Sequence, residues 1–512
     1  MRAKVFCLAV ALGLFAGPLF AAVTVPNIFG DHMVVQAGQA VPVWGKADPG
    51  EKVTVWLGGR SASTTAGCCG KWMVKVPPVK AEGAVEMTIS GTDSKLVFRD
   101  VLVGEVWVGS GQSNMQMSVK SSRDAETEIA QADYPQIRLF HVERKVAGEP
   151  QDNCNGTWMV CTPENIPEFS AALYFFGRTL HEELKRPVGL IHTSWGGTPA
   201  ESWTSRCALS SNPDLKCLVD QWDDTIQKYP AAMEKYKENL AAWEEAAAKA
   251  KADGKPEPSK PGEPRGPEHP HRASGLYNAM IAPIVPYGIR GAIWYQGESN
   301  AGRAYQYREL FPAMIEDWRA AWGQGDFPFY FVQLANFLAR APEPGESEWA
   351  ELREAQTMTL GLKNTGMAVI IDIGEEKDIH PKNKQDVGKR LALNALAKDY
   401  GRDVAWSGPL YKRVHFKKGA AHLWFDHACG LSTQGNAPLK GFEIAGADRK
   451  FVWADARIEG KKVVVSSPQV PNPVAVRYGW ADNPECTLTN ASGLPASPFR
   501  TDKWPGRTAG RK

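Results

Sequence analysis

The sequence holds little that would point to a metal ion, a membrane or a nucleic acid. Its 512 residues contain neither a CxxC pair nor an HExxH motif, the short patterns that often mark zinc sites. Beyond residues 1–22, no segment is long and apolar enough to cross a bilayer. The formal net charge of +2 gives no reason to expect a nucleic acid partner. We therefore expect a soluble chain that needs no metal and no cofactor.

The N-terminus has the composition of an export signal. Arg2 and Lys4 form a short basic region, the apolar run VFCLAVALGLFAGPLF follows, and Ala21 and Ala22 offer a cleavage site. The run is short and carries glycine and proline near its end, which disfavours a membrane anchor. Residues 1–22 are therefore predicted to be a signal peptide, and the mature chain to be periplasmic or secreted.

The cysteine content is consistent with export, because an even number of cysteines in an exported chain favours disulfide bonds. Cys7 leaves with the predicted signal. Eight cysteines remain, namely Cys68, Cys69, Cys154, Cys161, Cys207, Cys217, Cys429 and Cys486. Short loops favour the pairs Cys154–Cys161 and Cys207–Cys217, and Cys429–Cys486 would join two parts of the C-terminal region. The sequence leaves the connectivity open.

Three regions differ in their hydrophobic pattern. Residues 23–103 alternate apolar and polar residues with a period of two, as in KVTVWL and KWMVKV, and are predicted to form a β-sandwich domain. The pattern returns in residues 403–512, as in NPVAVRYGW, and predicts a β-rich domain there. In residues 104–402, apolar runs such as VGLIHTSW and MAVIIDIG alternate with amphipathic helical stretches. This alternation predicts a parallel sheet covered by helices on both faces.

An insertion at about residues 210–272 interrupts the α/β rhythm. Its apolar residues recur in alternating steps of three and four, from Val219 to Ala247, which predicts an amphipathic helical stretch. Pro230 is expected to break it into two helices. The segment GKPEPSKPGEPRGPEHP then returns the chain and is expected to be irregular. The apolar stripe is expected to pack on its own domain, with a dimer contact as the alternative; the oligomeric state stays open.

The residues that follow the predicted parallel strands include many polar and ionisable side chains. In an open α/β sheet, ligands bind outside the carboxyl ends of the strands. The residues found there, in chain order, are Ser113 in GSGQSN, Gly196 and Gly197 in WGGTPAES, Gln296, Glu298 and Asn300 in QGESN, and Asp378 and His380 in GEEKDIHP. One edge of the sheet thus collects a hydroxyl, bare backbone amides, side-chain amides, carboxylates and an imidazole.

These groups together are the components of acyl transfer. A serine hydroxyl such as that of Ser113 becomes a strong nucleophile only when a base such as His380 removes its proton. A carboxylate then stabilises the imidazolium, and hydrogen-bond donors stabilise the oxyanion of the tetrahedral intermediate. Each motif alone could be an ordinary turn, but four of them at successive strand ends favour a serine hydrolase. His192 lies within a predicted strand and is expected to be structural.

Several of these motifs are similar to those of a known family. GQSNM, SWGGT, WYQGESNA and DIHPKNKQDVGKRLA closely resemble the sialate O-acetylesterases, carbohydrate esterases of the SGNH-hydrolase superfamily. The resemblance covers nearly the whole mature chain outside the insertion. It implies a flavodoxin-like, three-layer catalytic core and cofactor-independent removal of acetyl groups from sugar hydroxyls. By motif match, Ser113 is the nucleophile and His380 the base.

The pattern offers two candidates for the acid that orients His380. The superfamily's last block has two residues between Asp and His, whereas Asp378 and His380 are separated by Ile379 alone. Asp378 is the first choice, and Glu298 is the alternative. The residues expected to contact the substrate are Gln112, Asn114, Trp195 and Glu298.

The oxyanion donors also depart from the superfamily pattern. Its third block offers an asparagine, whereas this chain has QGESN. We expect the donors to be the Ser113 and Gly197 backbone amides and the Gln296 side chain, with Gly196 and Asn300 as alternatives.

Three functions are compared. The leading hypothesis is a serine esterase that removes O-acetyl groups from carbohydrate, with sialic acid as the sugar that the resemblance implies. The alternative within the same chemistry is an acetyl-xylan or other glycan acetylesterase. A protein of a different class would bind glycans without catalysis, but intact Ser113 and His380 argue against it. A glycosidase that used Glu298 and Asp378 as its catalytic carboxylates would not require a serine nucleophile such as Ser113.

Overall fold

The computed structural model describes residues 22–512, and the predicted signal peptide, apart from Ala22, lies outside the described residues. The first strands are short and mainly antiparallel. Their bounds are β1 (Val34–Gln36), β2 (Val41–Lys46), β3 (Lys52–Leu57), β4 (Arg60–Thr65), β5 (Lys71–Val76), β6 (Val85–Ser90) and β7 (Lys95–Gly111). β2 pairs with β5, β3 pairs with β4 and β6, and β6 pairs with the first half of β7. Every second residue of β5 is buried, beginning with Trp72, which is the period of a half-buried strand.

The long strand β7 continues without a break into the central sheet. The other strands of that sheet are β8 (Tyr134–His141), β9 (Trp158–Cys161), β10 (Val188–Ser194), β11 (Gly291–Tyr295), β12 (Phe329–Val332) and β13 (Thr365–Ala368). Their spatial order is β13-β12-β11-β7-β10-β8-β9. All neighbouring strands are parallel except β8 and β9. The predicted α/β class with a mainly parallel central sheet is confirmed. β7 crosses the boundary predicted between residues 103 and 104, and the division into domains stays a prediction.

Eight α-helices accompany the strands in residues 22–512. They are α1 (Ser113–Gln116), α2 (Ala125–Ala130), α3 (Ala171–Leu184), α4 (Arg206–Ser211), α5 (Lys216–Ala252), α6 (Ala304–Trp322), α7 (Glu348–Met358) and α8 (Lys384–Lys398). Short 3₁₀ or π turns lie at Val119–Ser121, Ala200–Trp203, Tyr277–Ile281, Ala282–Ile284, Glu298–Arg303, Thr359–Gly361 and Gln434–Asn436. Within residues 22–512, no helix is both long and apolar enough to cross a membrane.

Two buried tryptophans on neighbouring strands illustrate how helices cover both faces of the sheet. Trp107 of β7 contacts Phe176 of α3, with ring centroids 5.0 Å apart. Trp294 of β11 contacts Trp318 of α6 at 5.9 Å. Because α3 packs on α8, and α6 on α7, each face carries a helical layer. Strands buried on both faces account for the near-continuous apolar runs in the sequence.

The insertion forms one continuous helix, and the prediction of two helices broken at Pro230 is wrong. α5 runs through Pro230 for 37 residues. On one side of the proline, Trp222 contacts His269, with ring centroids 5.8 Å apart, and on the other side Trp243 Nε1 donates a hydrogen bond to the carbonyl oxygen of Pro258. Contacts with the irregular returning segment thus stabilise α5 on both sides of the residue that weakens it. The stripe packs on its own chain, and a dimer contact stays a prediction.

The C-terminal strands form small antiparallel sheets. They are β14 (Leu410–Lys417), β15 (Ala420–Asp426), β16 (Ser432–Thr433), β17 (Phe442–Ala445), β18 (Phe451–Trp453), β19 (Asp455–Glu459), β20 (Lys462–Ser466), β21 (Ala475–Tyr478), β22 (Leu488–Thr489) and β23 (Phe499–Arg500). The sheets have the orders β14-β15-β20-β19, β18-β17-β21-β23 and β16-β22. The buried Arg353 of α7 donates hydrogen bonds to the carbonyl oxygens of Ala481 and Asp482. This guanidinium fixes the C-terminal region to the α/β core.

The cysteines correct another prediction. All eight cysteines within residues 22–512 are free thiols, so the predicted pairs Cys154–Cys161, Cys207–Cys217 and Cys429–Cys486 are not formed in this structure. The Cys161 thiol donates to the carbonyl oxygen of Ala132, and the Cys217 thiol to that of Asp214. Short separation along the chain does not by itself bring two Cβ atoms to bonding distance.

Candidate active site

The turn after β7 presents Ser113 at the carboxyl edge of the central sheet. Gly111 has a φ of 140°, and a Cβ atom at this position would lie 2.2 Å from the carbonyl oxygen of Tyr295 on β11. Only glycine permits this approach. The chain then passes through Gln112 and enters α1, whose first residue is Ser113. The G-S-G sequence thus lets β7 run closely beside β11 up to the point where the serine begins the next element.

Ser113 opens onto a cavity of about 490 Å³. The cavity is lined, mostly by polar side chains, by Ser113, Gln116, Met117, Ser118, Ser121, His141, Arg144, Glu168, Ser194, His380 and Lys382. These residues lie at or after the carboxyl ends of β7, β8 and β10, between β9 and α3, and in the segment that precedes α8. The predicted nucleophile and the predicted base therefore line the same cavity.

Asp378 is the carboxylate that contacts the imidazole of His380. Its Oδ1 lies 3.1 Å from His380 Nδ1 and accepts a 2.9 Å hydrogen bond from the His380 backbone amide. Its Oδ2 lies 2.9 Å from Lys382 Nζ. The hydrogen bond from Lys382, followed by that from the His380 amide, lowers the pKa of Asp378 to about 2. Asp378 is therefore ionised at neutral pH, and one intervening residue is enough for it to reach Nδ1.

Two of the predicted oxyanion donors are backbone amides without an acceptor among the described residues, those of Ser113 and Gly197. The Gly196 amide is already used, because it donates to Gln116 Oε1 at 2.6 Å. A Cβ atom on Gly196 would lie 3.3 Å from Ser113 Cβ, so this loop packs directly on the serine. Glycine at position 196 thus allows the loop that contains Gly197 to approach Ser113 closely.

The amides of Gln296 and Asn300 are engaged in a buried network. Gln296 Nε2 donates to Asn300 Oδ1 at 2.6 Å and to the carbonyl oxygen of Thr198 at 3.3 Å. Asn300 Nδ2 donates to Glu201 Oε2 at 3.0 Å. Gln296 and Asn300 are fully or almost fully buried. An oxyanion role for either amide would require these hydrogen bonds to break, so this geometry favours the backbone donors.

Asn114 and Gln112, predicted to bind substrate, hold the loops of the site together, and their contact with substrate stays a prediction. Asn114 is buried, and its Nδ2 donates to Glu298 Oε1 at 2.7 Å and to the carbonyl oxygen of Ile379 at 3.0 Å. Gln112 is also buried, and its Oε1 faces the backbone amides that flank Glu298, at 3.4 Å. The residues on either side of Ser113 therefore tie the serine turn to the QGESN loop and to the loop of His380.

Lys384 is a site residue that the sequence reading missed. Its side chain is fully buried, and its Nζ donates to Asn114 Oδ1 at 2.6 Å. Burial lowers the pKa of Lys384 to about 7, although Glu298 opposes the shift. Burial also raises the pKa of Glu298, whose Oε2 has no hydrogen-bond donor among the described residues. In the sequence, Lys384 resembles an exposed lysine at the start of a helix. The only feature that could have marked it as a site residue is its position in the DIHPKNK motif.

Two further predicted positions lie beside the cavity. Trp195 is partly buried, and the guanidinium of Arg144 lies 5.7 Å from its ring centroid. His192 is fully buried within β10, and its Nε2 lies 2.6 Å from Ser194 Oγ. Burial places the pKa of His192 well below its ordinary value, which favours the structural role expected for it. In the described part of the chain, no group of three or more His, Cys, Asp or Glu side chains could hold a metal ion.

Comparison with known proteins assigns this arrangement to a family. The model of the family described as carbohydrate esterase, sialic acid-specific acetylesterase, matches residues 103–248 and 268–397. The sialate O-acetylesterase of Mus musculus is 32% identical over 92% of this chain, and that of Homo sapiens is 31% identical over 93%; the alignments cover 92% of each relative. The chain belongs to this family of carbohydrate esterases. It is therefore a carboxylic ester hydrolase, and the predicted family is confirmed.

A solved structure supports the same assignment. The crystal structure of a carbohydrate acetylesterase from Xanthomonas citri aligns with a TM-score of 0.80 and 38% sequence identity, covering 94% of this chain and 100% of that chain. The two stretches matched by the family model contain every predicted site residue. The unmatched residues 249–267 comprise the end of α5 and most of the Pro-rich return, which lie away from the site residues in the sequence.

Proposed function

We propose that this carbohydrate esterase is a serine hydrolase that removes O-acetyl groups from sialic acid through an acetyl-enzyme. The observation that carries the proposal is the cavity lined by both Ser113 and His380, with Asp378 hydrogen-bonded to the far nitrogen of the imidazole. A nucleophile, a base and an orienting acid that meet at one accessible surface are the set that acyl transfer requires.

The first half of the reaction forms the acetyl-enzyme. Ser113 Oγ attacks the carbonyl carbon of the acetyl ester while its proton passes to His380 Nε2, which has no hydrogen-bond partner among the described residues. Ionised Asp378 stabilises the resulting imidazolium. The amides of Ser113 and Gly197 donate to the oxyanion. The intermediate collapses when the C–O bond to the sugar breaks, and the imidazolium returns its proton to the leaving sugar oxygen.

The second half releases acetate. Water attacks the acetyl carbonyl as His380 removes its proton, the same amides stabilise the second oxyanion, and the bond to Ser113 Oγ breaks. The proton returns from the imidazolium to the serine oxygen, and acetate leaves. The residues beneath the cavity, Asn114, Glu298 and Lys384, hold the two loops in register throughout.

The proposal also includes a specific type of α/β fold for the catalytic core. Numbered along the chain, the five strands β7, β10, β11, β12 and β13 lie in the order 2-1-3-4-5, which is the flavodoxin-like order, and β8 adds a further parallel strand beside β10. In such sheets the ligand lies at the carboxyl ends, where the order reverses. This supports an SGNH-hydrolase core, flanked by β-sandwich domains at residues 23–103 and 403–512.

The choice of sugar rests on the relatives. The mammalian relatives are sialate O-acetylesterases, whereas the Xanthomonas citri structure is described only as a carbohydrate acetylesterase. O-acetylated sialic acid is therefore the first substrate, and acetylated xylan or another glycan is the alternative. A glycan-binding protein without catalysis is disfavoured, because Ser113 and His380 are both present at the cavity.

Acetate release tests the proposal directly. The purified mature protein is incubated with O-acetylated sialic acid and with acetylated xylan, beside Ser113→Ala and the exposed control Ser210→Ala. We expect acetate from the sialic acid substrate, a fall in kcat of about 10⁴-fold or more for Ser113→Ala, and no change for Ser210→Ala. Full activity of Ser113→Ala would overturn the serine mechanism, and release from xylan alone would overturn the choice of sugar.

Export remains part of the proposal and is tested separately. It rests on the basic and apolar pattern of residues 1–22. N-terminal sequencing of the protein recovered from the periplasm or the culture medium should find a chain that begins at or next to Ala22 or Val23. An intact Met1 in a cytoplasmic fraction would contradict the export prediction.

A further inference from the structure

The charged groups on the cavity wall differ in how they are paired. Lys382 Nζ lies 2.9 Å from Asp378 Oδ2, and Glu168 is paired with Lys120. Both charges are therefore already balanced by a neighbour. Arg144 lines the same cavity, and no carboxylate among the described residues pairs with it. Unlike Lys382, Arg144 is therefore free to bind an anionic group of a ligand that enters the cavity.

Arg144 occupies a defined place. It follows β8 by three residues, and β8 is parallel to β10, so it lies at the same carboxyl edge as Ser113. Its guanidinium lies over the ring of Trp195 at 5.7 Å. An aromatic face attracts a guanidinium and restricts its orientation without using its N–H donors. The side chain is exposed, so the donors can reach a ligand in the cavity.

The rest of the wall suits a sugar. Ser118, Ser121, Ser194 and Gln116 contribute hydroxyl and amide groups, which can exchange hydrogen bonds with sugar hydroxyls. A planar guanidinium can hold a carboxylate through two parallel hydrogen bonds. A cavity that combines neutral polar groups with one uncompensated guanidinium is complementary to a sugar that carries a single carboxylate, and it offers less to a neutral one.

We propose that Arg144 binds the carboxylate of an acidic sugar and thereby makes the esterase select acidic over neutral acetylated sugars. The inference rests on the proposed function and adds the residue that determines its specificity. Trp195 contributes by holding the guanidinium over its ring. The acetyl ester can then meet Ser113 while Arg144 holds the carboxylate at the wall of the same cavity.

The experiment compares Arg144→Gln with Lys145→Gln. Lys145 is the next residue, is equally exposed and does not line the cavity, so it controls for the loss of one positive charge. The substrates are O-acetylated N-acetylneuraminic acid, its carboxyl methyl ester and neutral 4-nitrophenyl acetate. For Arg144→Gln we expect the KM of the acid to rise about tenfold or more, with kcat and both neutral substrates little changed. Lys145→Gln should behave as the unaltered protein.

A binding measurement separates this inference from the proposed function. Titration of Ser113→Ala with free N-acetylneuraminic acid and with its methyl ester requires no turnover. If Ser113→Ala binds the acid and the double variant with Arg144→Gln does not, the inference is supported. This holds even if the unaltered protein releases no acetate from any sugar. Equal effects of Arg144→Gln on the acid, its ester and 4-nitrophenyl acetate, or no effect on any of them, would overturn it. A partial recovery with Arg144→Lys, which keeps the charge but not the fork, would support the paired geometry.

Discussion

The two ends of the central sheet each bury the carboxylate of a glutamate, and the two carboxylates differ in their hydrogen-bond partners. At the amino end, the fully buried Glu105 of β7 accepts hydrogen bonds from Gln36, Arg290 and Tyr400 at 3.0 to 3.1 Å. At the carboxyl end, Glu298 accepts one side-chain hydrogen bond, from Asn114, and its Oε2 has no donor among the described residues. The first carboxylate is compensated, whereas the second is left partly unsatisfied.

This difference suggests separate roles for the two ends of the sheet, stability at the amino end and function at the carboxyl end. A buried charge with a full set of partners holds its surroundings in one arrangement, and removing one member leaves its partners uncompensated. Incompletely paired groups with shifted pKa values are typical of active sites. Burial raises the pKa of Glu298 and lowers that of Lys384 to about 7, and both side chains contact Asn114, the neighbour of Ser113. We expect substitutions at the amino end to change stability and those at the carboxyl end to change activity.

The largest expected effect is at the carboxyl end. Asp378→Asn keeps the shape of the side chain but cannot stabilise the imidazolium of His380, so kcat should fall about 10³–10⁴-fold. Steady-state acetate release measures this, and circular dichroism checks the fold. Glu376→Gln, an exposed neighbour in the same loop, serves as the control and should retain activity. A loss of less than tenfold in Asp378→Asn would mean that another acid orients the base.

The amino end should give the largest effect on stability. Glu105→Gln leaves Arg290 without its counter-charge, and the free energy of unfolding should fall by about 3 kcal/mol while kcat and KM stay unchanged. Urea denaturation beside the exposed control Glu82→Gln measures the difference. If Glu105→Gln abolished acetate release in a protein of normal stability, the contrast between the two ends would be lost.

A smaller effect is expected for the glutamate beneath the site. Glu298→Gln can still accept the hydrogen bond of Asn114, but it removes the negative charge beside Lys384 and weakens the support of the loops around Ser113. We expect kcat to fall about tenfold and the free energy of unfolding to change by less than about 1 kcal/mol. Glu343→Gln, exposed and distant in sequence, provides the control. Strong destabilisation would show that Glu298 is structural in the manner of Glu105.

The last expected effect is a pH dependence of stability. Because the pKa of Lys384 is lowered from 10.5 to about 7 in the folded chain, the unfolded chain binds more protons between these values, and stability should rise with pH across this window. In Lys384→Met this contribution is removed, so the slope of the unfolding free energy against pH should decrease by up to about 1.4 kcal/mol per pH unit. Urea denaturation at pH 7.5 and 9.5 measures it. Equal slopes in both proteins would mean that Lys384 keeps its proton in the folded chain.

Much of the site was predictable from the sequence because strand ends carry their own signal. The apolar runs and the polar residues that follow them place Ser113, Gly197 and His380 at one edge, since parallel strands share the direction of their carboxyl ends. The partners of the buried groups were not predictable. Lys384 Nζ reaches Asn114 Oδ1 across 270 residues of chain, and no local pattern distinguishes this lysine from an exposed one.

The departures follow from packing that a local pattern does not record. Pro230 disfavours a helix locally, but contacts of Trp222 and Trp243 with the returning segment keep α5 continuous. The amides of Gln296 and Asn300 look like free donors in QGESN, yet they are used by Thr198 and Glu201 on a neighbouring loop. Cysteines that are close in sequence likewise do not pair, since the Cys161 and Cys217 thiols donate to backbone carbonyl oxygens.

The sequence by itself determined the α/β class and the family, and it predicted the residues of the acyl-transfer set, because hydrophobic periodicity and residue chemistry are local properties. Only the tertiary structure decided that Asp378 reaches His380 Nδ1, that the Lys384 side chain and the Glu298 carboxylate are buried beneath the site, and that Arg144 faces the cavity with no counter-charge from residues 22–512. These facts depend on which distant side chains meet and on how much water reaches them, and burial and pairing are set by the fold as a whole.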